Sequence, residues 1–169
     1  MRIRSAIGDL QCQSAIAIRQ SAVEGCTFDT GDDCIALKSG RNEDGRRLNA
    51  PIENVIVRGC TMKDGHGGVV IGSEISGGAR NIFAERCRMD SPQLDRALRI
   101  KTNSVRGGRV EGVYMREVTV GQVAEAVVLR GYPHDPITNV RIADCQFAGV
   151  AKDDVIEGVC GLEWQAGHA

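Results

Sequence analysis

The feature that most constrains this chain is a short pattern that returns five times: AVEGCTF at 22–28, NVIVRGCTM at 54–62, NIFAERCRM at 81–89, GVYMREVTV at 112–120 and NVRIADCQF at 139–147. Cys26, Cys60, Cys87, Val118 and Cys145 occupy one slot of it, at intervals of 34, 27, 31 and 27 residues. Intervals of this size belong to solenoid repeats, and their variation places the extra residues in loops on one side. Each repeat is too short and too β-branched for a pair of helices.

A second apolar run follows in each repeat: Ile35 to Lys38, Val69 to Gly72, Leu98 to Lys101 and Val127 to Arg130. Two or three short strands per turn, joined by Gly, Asn and Asp, describe an all-β chain wound as a right-handed parallel β-helix. Only 4% of residues are aromatic, so the core must be thin layers of aliphatic residues and cysteine. The expected domain spans 22–169, with 1–21 an irregular or imperfect first layer. Seven cysteines, an odd count without close pairs, read as small buried hydrophobes. Met62, Met89 and Phe147 share one slot and are expected in the core.

Successive coils of such a helix stack about 4.8 Å apart, so residues some thirty apart become neighbours. Asp32 follows Cys26 by six residues and His66 follows Cys60 by six, which places them on adjacent layers. Arg99 and Lys101 fall in the second strand of the next layer. The result is a surface stripe of Asp32, Asp33, His66, Arg99 and Lys101, with Lys38, Arg130 and Tyr132 at its margins. Adjacent carboxylates at a strand mouth have their pKa values pushed apart, which prepares an acid and a base. Asp153 and Asp154 form a second acidic pair without such neighbours and read as a loop.

Two carboxylates, a histidine and two cations suit hydrolysis of a glycosidic bond in an acidic polysaccharide. Arg99 and Lys101 would hold a sugar carboxylate. His66, between Gly65 and Gly67 where backbone can approach a ligand closely, would tune the acid. No metal or cofactor is called for. A net charge of −1 excludes a strongly basic nucleic-acid binder, and no segment approaches the length of a membrane-spanning helix. A monomer is expected unless the exposed ends of the helix pair.

Gly31-Asp32-Asp33, Gly65-His66-Gly67 and Arg99-Ile100-Lys101, in that order, resemble three of the four signature motifs of the polygalacturonases, glycoside hydrolase family 28. The resemblance covers roughly Val23 to Asp144, including CTMKDGHGGVVIGSE and DRALRIKTN. It implies inverting hydrolysis of α-1,4-linked galacturonan, and a secreted or periplasmic protein. By resemblance Asp32 is the general acid, Asp33 shares in activating water, His66 supports the acid, Arg99 and Lys101 bind substrate, and Tyr132 matches a substrate-contacting tyrosine. The family's Asn-Thr-Asp motif does not occur. Counting back from Asp32 puts its place near Gln11, with Asp9 the nearest acid. The chain therefore reads as the C-terminal part of such an enzyme, with general-base assistance diminished. The alternative is a non-catalytic β-helical module that binds acidic polysaccharide through Lys38, Arg99, Lys101 and Arg130.

Overall fold

The computed structural model describes residues 2–4, 10–13 and 19–166. Strands β1 (Arg2–Arg4) and β2 (Leu10–Gln13) precede a first full coil of β3 (Arg19–Glu24), β4 (Thr27–Phe28) and β5 (Asp33–Lys38). A short helix, α1 (Asn42–Leu48), leads to the second coil, β6 (Ile52–Arg58), β7 (Thr61–Met62) and β8 (Gly67–Gly72). The third is β9 (Ala79–Glu85), β10 (Arg88–Met89) and β11 (Arg96–Lys101), and the fourth β12 (Val110–Arg116), β13 (Thr119–Val120) and β14 (Val123–Arg130). Then come β15 (Ile137–Phe147), β16 (Val150–Lys152), β17 (Val155–Glu157) and β18 (Val159–Ala166). Equivalent strands pair in parallel from coil to coil, forming the expected right-handed parallel β-helix with three strands per turn. β1 adds to β3, and β2 adds to β5 with Gln11 opposite Ala36.

The recurring pattern maps onto one corner of every coil. The residue before the cysteine slot turns the chain in left-handed geometry: Gly25, Gly59, Arg86, Glu117 and Asp144 have φ of 63°, 61°, 51°, 55° and 55°. The slot itself faces inward, and Cys26, Cys60, Cys87, Val118 and Cys145 are buried. The thiols of Cys60, Cys87 and Cys145 donate to the Val23, Val57 and Met115 carbonyls of the preceding coil. Burial pushes the Cys145 thiol up, as befits a small hydrophobe. Cys34 is buried too, whereas Cys160, on the outer side of β18, is exposed; Cys12 has no described side chain.

Two slots on, Phe28, Met62, Met89, Val120 and Phe147 stand opposite one another, the first four fully buried and Phe147 partly. They face a column of small residues, Cys34, Gly68, Ala97 and Ala126, contributed by the sheet β5–β8–β11–β14. A Cβ on Gly68 would lie 2.8 Å from the Met89 sulfur, 2.9 Å from the Met62 sulfur and 2.9 Å from the Ala97 carbonyl oxygen. Large side chains from one sheet thus need small ones on the other, because interiors are close-packed.

Two glycines should separate packing from backbone effects. Gly59→Ala meets no atom within 4 Å, so only its left-handed φ is penalised, by about 1 kcal/mol. Gly68→Ala, overpacking the methionine column, should cost about 1–3 kcal/mol. Urea unfolding of both variants reads the difference as a larger fall in midpoint for Gly68→Ala.

Candidate active site

Side chains along a regular strand alternate between faces, but every strand of the sheet β5–β8–β11–β14 breaks that rule once. Cys34 and Ile35 both enter the core, as do Ala97 with Leu98 and Ala126 with Val127. The double inward step turns Asp33 outward together with Ala36 and Lys38, and Arg96 outward together with Arg99 and Lys101. In register, Asp33 stands opposite Gly67, Ala36 opposite Val70, and Val70 opposite Arg99. Lys101 lies between Gly72 and Arg130. Ala36, Val70 and Val128 belong to no part of the core cluster yet are at most 3% exposed, so they make an apolar floor beneath the charged side chains.

Asp32, Asp33, His66 and Lys101 meet on this face. The His66 Nδ1 lies 3.3 Å from Asp32 Oδ1, and the His66 amide donates to the Asp32 carbonyl at 3.1 Å. The Asp33 amide donates to Asp32 Oδ1 at 2.8 Å. Lys101 Nζ lies 3.7 Å from Asp33 Oδ2. The carboxylates differ in access: the Asp32 side chain is 56% exposed and that of Asp33 only 9%. Asp33 Oδ1 is buried and accepts no hydrogen bond among the described residues.

The glycines flanking His66 also make close contacts within the protein. A Cβ on Gly65, whose φ is 144°, would lie 2.4 Å from the Asp32 carbonyl oxygen; one on Gly67 would lie 2.4 Å from Val70 Cγ2. Gly65 lets the second coil close onto the Asp32 carbonyl, whereas Gly67 makes room for Val70 of its own strand. The Thr30 hydroxyl fixes the same turn by donating to the Asp32 carbonyl at 2.6 Å.

The remaining residues are dispersed around this centre. Arg99 is half-buried beside Lys101. Burial pulls the Lys101 ammonium below its usual range, with Arg99 and Lys38 adding to this and Asp33 opposing it. Lys38 is drawn to Glu74 at 3.3 Å, and Glu74 also meets Arg41 at 3.9 Å. Arg130 pairs with Glu157 at 3.5 Å. Tyr132 lies in a turn closed by a bridge to Asp135, its hydroxyl 3.7 Å from where a Cβ of Gly107 would sit. Asp154 caps a neighbouring strand by accepting from the Val127 amide at 2.8 Å. Gln11 lies on β2, and Asp9 is outside the described residues.

Sequence reasoning missed three contributors. Glu74 anchors Lys38, and its signal is the polar loop that follows the second apolar run. Arg96 makes a 2.7 Å pair with Glu125, both largely buried, at the opposite edge of the stripe. α1 carries Arg46, which donates to the Val105 and Arg106 carbonyls at 3.3 and 3.2 Å and so ties down the loop after Lys101.

The contacts of Asp32 shift its carboxyl. The Asp33 amide most of all, with the His66 side chain and the charges of His66 and Lys38, holds the Asp32 carboxyl below its ordinary 3.8, although burial, the second-largest influence, opposes them. A carboxyl lowered in the folded state stabilises the fold above the usual carboxylate range and loses that contribution as pH falls through its folded value. Carboxyl-carbon NMR should give Asp32 a midpoint below 3.8, shifted upward in His66→Ala. An unchanged midpoint in that variant would remove the histidine from the account.

Residues 12–160 match the family model for glycosyl hydrolases family 28. A protein of Vitis vinifera named probable polygalacturonase is 34% identical over 110 residues, covering 64% of this chain and 22% of its own length. The probable endopolygalacturonase I of Aspergillus flavus is 32% identical over 138 residues, covering 76% of this chain and 34% of that protein. The crystal structure of an exopolygalacturonase from Thermotoga maritima superposes with a TM-score of 0.75 at 27% identity, over 97% of this chain and 47% of that one. The chain thus spans between a fifth and a half of the length of these relatives. It belongs to the glycosyl hydrolases family 28.

Proposed function

We propose that this chain carries the groove of a pectin-degrading glycoside hydrolase that cleaves α-1,4-galacturonosidic bonds of polygalacturonan with inversion. The observation that carries the reading is the meeting of an accessible carboxylate, a buried one with an unengaged oxygen, a histidine and a lysine on one face of three successive coils. The family relatives named polygalacturonases support the substrate class.

In this mechanism Asp32 gives a proton to the leaving oxygen as the bond from the anomeric carbon to it breaks. Water attacks that carbon from the opposite face, and its proton passes to the Asp33 carboxylate. Arg99 and Lys101 hold the uronate carboxylate, as a fork and a point charge respectively. Tyr132 and Lys38 act at the edges of the site, and His66 orients Asp32. The free protein favours ionised Asp32, whereas a general acid must be protonated. Substrate reverses the balance, because a uronate brings a like charge and excludes water, and both raise a carboxyl pKa.

That same feature favours a second reading, a non-catalytic module that binds acidic polysaccharide through Lys38, Arg99, Lys101 and Arg130. With Asp32 held toward its charged form and Asp33 beside Lys101, the site suits binding without a proton to donate.

Release of reducing ends from polygalacturonate separates the two. Catalysis predicts that Asp32→Asn lowers kcat by about 10²- to 10⁴-fold while binding persists. The binding module predicts no hydrolysis by the parent chain, and salt-sensitive binding lost in Lys101→Ala alone. For the catalytic reading, the alkaline limb of kcat/KM, which reports the free enzyme, should lie at lower pH than that of kcat, which reports the complex. Coincident limbs would show that substrate does not raise Asp32.

A further inference from the structure

The outer face of the other large sheet, β3–β6–β9–β12–β15, carries a built feature that the groove does not use. Phe83 and Tyr114 are in register on adjacent coils, and their rings stack with centroids 4.9 Å apart and planes 13° from parallel. On the far side of Tyr114 the partner in register is Arg141. Arg141 reaches away to Glu163 at 3.6 Å, through side chains 51% and 67% exposed.

Tyr114 is held in this position by an asparagine ladder. Asn54, Asn81, Gly112 and Asn139 follow one another at equivalent places with φ between 55° and 69°. Asn81 donates to the Asn54 side-chain oxygen at 3.0 Å. At the third rung the asparagine is replaced by Gly112, and the Tyr114 hydroxyl enters the ladder, accepting from Asn139 Nδ2 at 3.0 Å. A Cβ on Gly112 would lie 3.3 Å from that hydroxyl. The ring is therefore fixed at both its hydroxyl end and its Phe83 face.

Beside it opens a cavity of about 300 Å³, lined by Phe83, Glu85, Tyr114, Arg116, Arg141 and Asp144 among others. That volume is at the lower end for small-ligand pockets. Glu85 is occupied by Arg58 at 3.0 Å and by Arg116 at 3.4 Å, which leaves Arg141, in its exposed and weak pair, able to take another anion. An aromatic ring, the Arg141 fork and a carboxylate acceptor match a sugar acid: a ring face to stack, a carboxylate to pair and hydroxyls that donate.

We propose that this pocket is a second, non-catalytic binding site for one uronate residue of the polysaccharide. The sugar ring lies against Tyr114, its carboxylate at Arg141, and its hydroxyls toward Asp144. The choice of uronate rests on the reading of the groove above. Two sites on different faces would hold one polymer more firmly than either alone, through effective concentration.

Calorimetric titration of trigalacturonate into the Asp32→Asn chain, which should not turn the sugar over, tests this. Two sites are expected. Arg141→Ala, a change at an exposed position, should weaken one of them about ten- to hundredfold and leave the other. Tyr114→Ala should remove the same site and Tyr114→Phe retain it, while Lys101→Ala should remove only the groove site. A single site abolished by Lys101→Ala and untouched by Arg141→Ala overturns the pocket and leaves the groove reading standing. A single site with the reverse pattern overturns the groove reading. Equal binding of neutral trigalactose at the pocket overturns its assignment to uronate, and no binding of either sugar overturns both.

Discussion

Everything in this molecule depends on the parallel ladder that locks each coil to the next. One coil's strand fixes where its neighbour's side chains fall, so the positions of residues some thirty apart in sequence are set by backbone hydrogen bonds rather than by their own contacts. The Asp pair, His66 and Lys101 are brought together in this way. None lies near another in the chain except the two aspartates. A parallel ladder also demands that both ends of each rung match in shape, which is why methionines on one sheet face Gly68, Ala97 and Ala126 on another.

Much of this was legible in the sequence, since a strictly repeated core residue is a direct record of the register. The cysteine slot identified the corner, and the apolar runs at Ile35, Val69, Leu98 and Val127 pair as their spacing implies. Less visible was the double inward step. Simple alternation would send Asp33 into the core beside Ile35; two successive small or apolar residues turn it outward instead, and no residue type announces such a break. The left-handed corner was also masked, because Arg86, Glu117 and Asp144 accept at some cost a backbone that Gly25 and Gly59 adopt freely. Glu74 lay in a loop whose position against Lys38 follows only from the fold.

The carboxylates show how proximity can divide labour between like groups. Asp32 is exposed and receives a backbone amide and a histidine, which favour its charge. Asp33 is enclosed beneath it and faces an ammonium that burial has weakened. One aspartate is open to solvent and the other is largely enclosed. The asymmetry comes from a one-residue shift along a single strand.

The excursions between coils add a last point. The longest interval between equivalent slots contains α1, and the next contains the loop at 102–109; both leave from the same corner, just after Lys38 and Lys101. Chain added there never passes through the sheet, so the rungs on either side keep their pairing. The wall of the groove can therefore lengthen, shorten or change charge by insertion while the floor and its reactive groups stay in place. Such an architecture separates the parts held in space by the ladder from those free to be remodelled.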